Sequence, residues 1–470
     1  MPKFIDFMDS SPLVTVYIPC RNYGRFLQKC VDSVFEQLYT NWELIIVDEA
    51  SDDDSAEIAR DVCRRYPDKT TFIQNKKATG LQRLANTVLG ISKGKYMVRL
   101  DADDWLDECA LLLMVAKLEA TPHIGMVYGN YFYTDPEGKI IGIERRHKLG
   151  NEDTVGHLPP HGACTMFRTR ALKAVGGYSE DVNAQDGWEL WYKLYKRIGA
   201  ANLDIPVFYY RQHGSSLSHD SKRLLVARTR IFDRISEALE GDYKPKNIAV
   251  IPVRESYPGF EGVPYREYEG MSLLERAILT AAQSDKIDRI IVSSQSQKVL
   301  DYAQELAETG RVPEHLRVLR DEDECSGRNI PIRDLMINAG SYYAEVEGVF
   351  PDVMAFLSMH AVHRRVEHID KALNVLRITE SDTVVSVQEE REPMFTHGEN
   401  GLALFNPGRF QDLTYDRERL YRFNGSIIAT WWEVLKEHHL FGEKISFIEM
   451  STEDSYQIKN ASMLINNSNQ

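Results

Sequence analysis

Residues 96–105, Y-M-V-R-L-D-A-D-D-W, constrain this chain more than any other stretch. After Gly94 comes a short apolar, β-branched run, 96–100, which reads as a buried strand running into an acidic turn. Open α/β sheets hold their ligands outside the carboxyl ends of their strands, so Asp101, Asp103 and Asp104 stand where a ligand is expected. If strand geometry continues past the run, Asp101 and Asp103 project to the same side. Carboxylate oxygens so placed suit Mg²⁺ or Mn²⁺ and, through the metal, a diphosphate. The competing explanation is a solvated acidic turn or a helix N-cap at Asp104. The D-x-D-D pattern alone does not decide between them.

The flanking pattern adds weight. Residues 13–18, 42–47 and 71–74 read as strands, and 25–37, 53–64 and 80–91 as helices. In the first helix Phe26, Cys30, Val31 and Val34 recur on one face. Alternation of this kind predicts a parallel sheet with crossover helices. The second strand ends at Asp48, Glu49 and Ser51, so its acids and those after 96–100 should converge on one crevice.

The totals exclude several classes. With 470 residues the chain is long enough for two or three domains. A formal charge of −14 argues against a nucleic-acid binder and against broad adhesion to anionic lipid. The six cysteines, Cys20, Cys30, Cys63, Cys109, Cys164 and Cys325, form no C-x-x-C, which suggests free thiols in a reducing cytoplasm. Residues 1–11 lack the apolar core of a secretory signal, and no run approaches the ~18 apolar residues of a membrane span. The expectation is a cytoplasmic protein, with any membrane contact peripheral at the inner face.

Taken together, V-T-V-Y-I-P-C-R-N-Y, I-I-V-D-E-A-S-D-D, G-L-Q-R-L-A-N and V-R-L-D-A-D-D-W resemble the successive motifs of glycosyltransferase family 2. The likeness continues through residues 161–168, 175–178, 185–191 and Tyr210-Arg211-Gln212-His213, and covers roughly 12–220. It implies a GT-A fold and inverting transfer of a sugar from a nucleotide-sugar donor to a glycan or lipid-linked acceptor. It also implies roles: Asp186 as the base, Asp103 with His213 at a divalent metal, and Pro19, Asn22, Asp48, Arg83 and Asp101 around the donor. Proton abstraction by a carboxylate and charge neutralisation by a metal are what such chemistry needs. Two departures stand out. Asp48-Glu49-Ala50-Ser51 replaces the family's D-D-G-S, and Leu84-Ala85-Asn86 replaces A-R-N, with Arg83 one place early. Trp191 reads as core, and Trp188 as core or as a platform for an acceptor sugar.

Residues 221–239 read as one amphipathic helix, and 241–246 as a polar break that separates a domain of 1–240 from one of 247–470. Alternation then resumes, predicting a second Rossmann-like α/β domain. Its segments 249–254, 262–264, 290–294, 382–387 and 422–427 resemble the cytidylyltransferases that activate sialic acid and related sugar acids as CMP conjugates. That likeness implies nucleotide contacts by Arg254, Arg266 and Arg364, and a homodimer through this domain. Its chemical motifs are worn. The loop after the first strand, 255–261, has no lysine and two acids, Glu255 and Glu261. At the positions of the family's two metal-binding aspartates stand Gln457 and Lys459. An ammonium repels a metal rather than coordinating it. The expectation is a glycosyltransferase with a non-catalytic second domain. The alternatives are a bifunctional enzyme that also makes a CMP-sugar, and a nucleotide-binding scaffold without catalysis.

Overall fold

The computed structural model describes residues 11–145, 163–181, 190–194, 198–213, 221–240, 244–320, 330–398, 401–405, 420–437 and 440–465. The chain divides into two compact units. The first comprises Met1–Ile231 with Arg391–Glu418, and the second Phe232–Glu390 with Arg419–Gln470.

The first unit is an α/β fold on a nine-stranded mixed sheet. Its first elements are β1 (Val14–Cys20), α1 (Gly24–Phe35), β2 (Trp42–Glu49), α2 (Ser55–Arg65), β3 (Thr70–Asn75), α3 (Leu81–Ile91) and β4 (Tyr96–Arg99). These four strands lie in the order β3-β2-β1-β4, all parallel. Period-2 alternation sends the residues of each strand to two different cores. Val14, Val16, Ile18, Leu44, Ile46 and Val98 meet Leu27, Cys30, Val31 and Val34 of α1 on one face. Tyr17, Ile45, Val47 and Met97 meet Leu84, Ala85 and Val88 of α3 on the other. Trp191 belongs to this second core and is 2% exposed. Full burial of such side chains contributes about 1.5–3 kcal/mol each, which sets the register of the central strands.

Beyond β4 the sheet is not the purely parallel one predicted. The chain adds β5 (Trp105–Leu106), α4 (Ala110–Ala120), β6 (Met126–Thr134), β7 (Ile140–Glu144), β8 (Met166–Arg168), α5 (Thr169–Ala174) and β9 (Ala200–Arg211). The order continues β4-β8-β6-β9-β5, and β7 pairs with β6. β8 runs antiparallel to both β4 and β6, and β5 antiparallel to β9. Strands of two or three residues carry too little pattern for a period to register, and Pro206 interrupts the signal of β9.

Helix α6 (Ser221–Glu240) leads on, and the boundary between units falls within it. The next strands are β10 (Asn247–Val253), β11 (Glu267–Tyr268), β12 (Met271–Ser272), β13 (Arg289–Ser294), β14 (Leu316–Leu319), β15 (Val353–Leu357) and β16 (Thr383–Glu390). A hairpin, β17 (Phe395–Gly398) with β18 (Gly401–Leu404), precedes β19 (Leu420–Trp431) and β20 (Ile445–Glu449). The second unit's main sheet has the order β14-β13-β10-β15-β19-β16-β20. Its first four strands are parallel, and β19 is antiparallel to both neighbours. Ile248, Val250, Ile291, Val318 and Met354 pack on Met336, Ala339, Tyr343 and Trp432. Ala249, Ile251 and Val292 are equally buried, as a parallel sheet covered on both faces requires. Among the described residues no helix is long and apolar enough to cross a membrane. The five described cysteines are free thiols, and Cys325 lies outside those residues.

Candidate active site

The acidic turn is built by the end of β4. The strand stops at Arg99, and the Asp104 N–H donates to the Asp101 carbonyl at 3.0 Å. Strand geometry therefore does not continue, and the three carboxylates take separate surroundings. Asp101 Oδ1 lies 3.0 Å from Arg99 Nε. Asp103 Oδ2 lies 2.9 Å from His213 Nε2, with the Asp103 side chain 12% exposed and that of His213 3%. Asp104 turns inward, and its Oδ1 accepts the Arg211 N–H at 2.9 Å. Burial first, then the charges of Asp103 and Asp101, push the Asp104 carboxyl well above the usual carboxylate range. Its Oδ2 has no hydrogen-bond partner among the described residues.

His213 reaches this turn from the far side of the sequence because β9 pairs with β5, Tyr209 opposite Trp105. That pairing carries Arg211 and His213 alongside residues 103 and 104. Arg211 Nε donates to the Asp103 carbonyl at 2.9 Å. Its guanidinium lies over Phe26 at 4.4 Å and over Trp105 at 4.8 Å, within cation–π reach. Tyr23 and Phe26 enclose the His213 ring, with centroids at 5.7 and 5.3 Å. Nothing in the local sequence pairs Arg211 with Asp104, and sequence reasoning missed that brace.

The neighbouring strand ends complete the crevice wall. Pro19 stands opposite Val47 near the end of β1, and Asp48, opposite Cys20, is 1% exposed. Asn22 adopts φ 59°, the left-handed region that Asn tolerates better than most residues. Its N–H donates to Ser51 Oγ at 3.0 Å, and its Oδ1 accepts the Asp52 N–H at 2.8 Å, tying the end of β1 to the end of β2. Ala50 has φ 57°, which explains why the family favours glycine there. Glu49 also has a role the sequence did not reveal. Its Oε2 accepts the N–H groups of Thr79 and Gly80 at 2.6 and 3.0 Å, charge-compensating the N-terminus of α3.

Asp103 and His213 are hydrogen-bonded to each other, and the spacing of that pair also suits two ligands of one divalent cation. Two adjacent ligands of an octahedral Mg²⁺ with bonds near 2.1 Å stand about 3 Å apart. Asp103 Oδ2 and His213 Nε2 stand at 2.9 Å. Among the described residues no three His, Cys, Asp or Glu side chains gather to hold a metal by themselves. A cation held there would need further ligands from outside the protein's side chains.

The other candidate residues are distributed differently. Arg83 sits on α3, and its side chain, 62% exposed, pairs with Glu180 at 2.9 Å. Asn86, the last residue of Leu84-Ala85-Asn86, braces the loop at Tyr178: its Nδ2 donates to the Tyr178 carbonyl at 2.8 Å, and its Oδ1 accepts the Tyr178 N–H at 2.8 Å. Asp186 and Trp188 lie outside the described residues. In the second unit Arg254 lies 5.8 Å from the Tyr257 ring, and Arg266 Nε donates to the Glu261 carbonyl at 3.1 Å. Arg364 is buried, and its Nη1 donates to the carbonyls of Ser358 and Ser426 at 2.7 and 3.2 Å. Burial lowers its pKa to about 9. This guanidinium braces β15 against β19, a use its place in the sequence does not suggest. Glu255 is paired with Lys298 at 3.1 Å and accepts a hydrogen bond from Ser296 Oγ at 2.8 Å. Gln457 donates its amide to the Asn424 carbonyl, and Lys459 is exposed.

Residues 15–176 match the model of the family described as Glycosyl transferase family 2. A putative glycosyltransferase of Bacillus subtilis (strain 168), EpsE, is 37% identical over 219 residues, 46% of this chain and 78% of EpsE. The chondroitin synthase of Escherichia coli is 28% identical over 235 residues, 48% of this chain; the match spans only 33% of that synthase's length. Among solved structures, the mannosyltransferase PcManGT of Pyrobaculum calidifontis, in complex with GDP-Man and Mn²⁺, aligns at TM-score 0.39 with 22% identity. That match covers 48% of this chain and 65% of PcManGT.

Proposed function

The chain belongs to glycosyltransferase family 2, and on that premise we propose that it is a metal-dependent, inverting glycosyltransferase. It moves a sugar from a nucleotide-sugar donor to an acceptor hydroxyl in the making of a surface polysaccharide or glycan. The observation that carries this reading is the Asp103–His213 pair at the end of β4, beside the ends of β1 and β2. A synthase of a polysaccharide, chondroitin, among the relatives supports the product class.

The residues act as follows. Asp103 and His213 would hold a divalent cation, whose charge would offset that of the departing nucleoside diphosphate. Asp48 accepts a hydrogen bond from the base ring, and Asp101 one from the ribose. Pro19, Asn22 and Arg83 line the donor side. Asp186 takes the acceptor hydroxyl proton while that oxygen bonds to the anomeric carbon and the bond from that carbon to the diphosphate oxygen breaks. Attack from the face opposite the leaving group inverts the configuration. The Arg211–Asp104 brace, held under Trp105, keeps the turn in shape as charge changes beside it.

The second unit is read as a cytidylyltransferase-like domain without turnover, a nucleotide binder or structural partner. Gln457 already donates to a carbonyl, Lys459 carries the wrong charge for a metal site, and Glu255 is internally paired; these support the reading.

The test is a thermal-shift screen of UDP-, GDP-, dTDP- and CMP-sugars with Mn²⁺ on the full chain, followed by transfer assays. One donor class should raise the apparent stability by about 2.7 kcal/mol at a hundredfold excess over Kd, and chelation should abolish the shift. Asp103→Asn should keep the fold, lose the metal-dependent shift, and lower transfer by roughly 10³-fold, since the metal's contribution is worth several kcal/mol. Full activity in Asp103→Asn, or in wild type with EDTA, would refute the reading.

A further inference from the structure

A second charged site lies in the first unit, at the opposite end of β4. Lys93, Lys95, Arg168, Arg170 and Lys173 line one cleft of about 560 Å³, with Glu119 as the single carboxylate of its wall. The cleft opens at the start of β4, and Asp101 follows its end. At ~3.3 Å per residue, the four residues of β4 by themselves set the two sites more than about 10 Å apart.

The wall is firmly built. β8 runs antiparallel to β4 with Arg168 opposite Tyr96, so the residues after β8 fold back beside Lys95. The Thr169 N–H donates to the Lys95 carbonyl at 3.0 Å, and its Oγ1 to the Gly94 carbonyl at 2.7 Å. Gly94 sits so close to β1 that a Cβ there would meet the Thr15 nitrogen at 2.5 Å. The Lys93 N–H is held by Glu43 at 2.8 Å.

Two of the five cations are accounted for by the fold. Buried Arg168 donates to the carbonyls of Leu118, Thr121 and Ile124, capping the C-terminal end of α4. Lys95 pairs with Glu119 at 2.5 Å, and Glu119 also accepts a hydrogen bond from the Tyr96 hydroxyl. Lys93, Arg170 and Lys173 are different. All three are exposed, and among the described residues none has a carboxylate within ion-pair distance. Arg170 and Lys173 are three apart on α5 and share a face, turned to the same cleft as Lys93. These three cations line one cleft whose single wall carboxylate, Glu119, is already paired with Lys95, on a chain whose formal charge is −14. Gathering them costs repulsion that an entering anion would convert to attraction.

We propose that this cleft binds a phosphate-bearing anion at a site distinct from the donor crevice. Three flexible cations around an open cleft match a compact, multiply charged anion, and ammonium groups serve phosphate as point charges. The phosphate comes either from a soluble phosphate compound or from the headgroup of an anionic lipid, and the experiment separates the two.

The full chain is titrated with inorganic pyrophosphate by calorimetry in EDTA, and sedimented with vesicles of phosphatidylglycerol or of phosphatidylcholine. Lys93→Glu/Arg170→Glu/Lys173→Glu is compared with a control that reverses three exposed cations elsewhere in the unit, Arg64→Glu/Lys139→Glu/Lys222→Glu. The cleft triple should weaken binding by roughly ten-fold or more while the control changes it little, and transfer to a soluble acceptor should be unchanged in both. Selective loss of pyrophosphate binding supports the soluble source. Selective loss of phosphatidylglycerol binding, with pyrophosphate bound by neither protein, supports the lipid. Equal losses in both triples, or wild type that binds neither probe, overturn the proposal. Should the reversal triple fail to fold, Lys93→Gln/Arg170→Gln/Lys173→Gln carries the same comparison.

Discussion

The two units share a framework and differ in what the framework presents. In the first, the parallel strands stand in the order β3-β2-β1-β4; in the second, β14-β13-β10-β15. Numbered along the chain within each main sheet, leaving out the separate β11–β12 hairpin, both read third, second, first, fourth. Yet the fourth strand of the first sheet ends in Asp101, Asp103 and Asp104, with His213 brought against them. The fourth strand of the second ends at Ser358, beside a buried arginine occupied by carbonyl groups and a histidine, His360, bound to the Ile458 carbonyl at 2.7 Å. Burial depresses the pKa of that imidazole. Sheet order fixes where chemistry can be placed; the residues after each strand decide whether any is placed there.

The sharpest way to break this contrast is to remove the base from one side and supply substrate to the other. Asp186→Asn should lower the saturated transfer rate by about 10²–10⁴-fold with donor affinity near wild type. The same full-length variant, given CTP and a sialic, legionaminic or Kdo-type acid, should release no pyrophosphate. A normal saturated rate with collapsed donor binding would move Asp186 to the binding side. Pyrophosphate release dependent on both substrates and lost in Arg254→Ala would make the second unit a working synthetase.

A smaller effect separates a buried carboxyl from a half-buried one. Asp104 is held in the first unit beside other acids, whereas Asp370 in the second is raised to about 6, chiefly by burial. Ser284 Oγ donates to Asp370, with Asp233, Glu367 and Lys286 nearby. Because the folded pKa lies above the unfolded value of 3.8, the folded state holds the proton more tightly between those values. The stability this contributes is complete at low pH and is lost as pH rises through about 6. Asp370→Asn should therefore gain about 1–2 kcal/mol on wild type between pH 5 and pH 8 in urea unfolding monitored on the second unit. An unchanged difference across that range would place the titration elsewhere.

The smallest expected effect tests the donor side of the first sheet. Ala50 holds φ 57° where the related motif has glycine. Ala50→Gly should raise the thermal midpoint slightly, corresponding to about 0.5–1 kcal/mol, with donor affinity unchanged. A loss of stability would mean that the methyl group's packing outweighs the strain.

Much of the first sheet was legible because β1 to β4 are long enough to show period 2 and are separated by helices with an apolar stripe, as α1 shows with Phe26, Cys30, Val31 and Val34. The parallel core of the second sheet, β10 to β15, was legible for the same reason. The acidic turn was visible as composition, and His213 as part of Y-R-Q-H. The antiparallel half was not, since β5 has two residues and β8 three, and their pairing depends on partners about forty to a hundred residues away in sequence. Glu49 looked like one more acid at a strand end, although its carboxylate serves the backbone N–H groups of Thr79 and Gly80.

Sequence alone determined which atoms are available: hard carboxylate oxygens after β4, an imidazole after β9, and an amide and an ammonium at Gln457 and Lys459. Side-chain chemistry is local, and motif order preserves it. Tertiary structure decided which of those atoms meet. Asp103 finds His213 while Asp104, one residue on, is buried against Arg211, because the 101–104 turn ends the strand and β9 closes over it. Direction within a turn and pairing between distant strands are set by packing over the whole sheet, and no local run of residues encodes them.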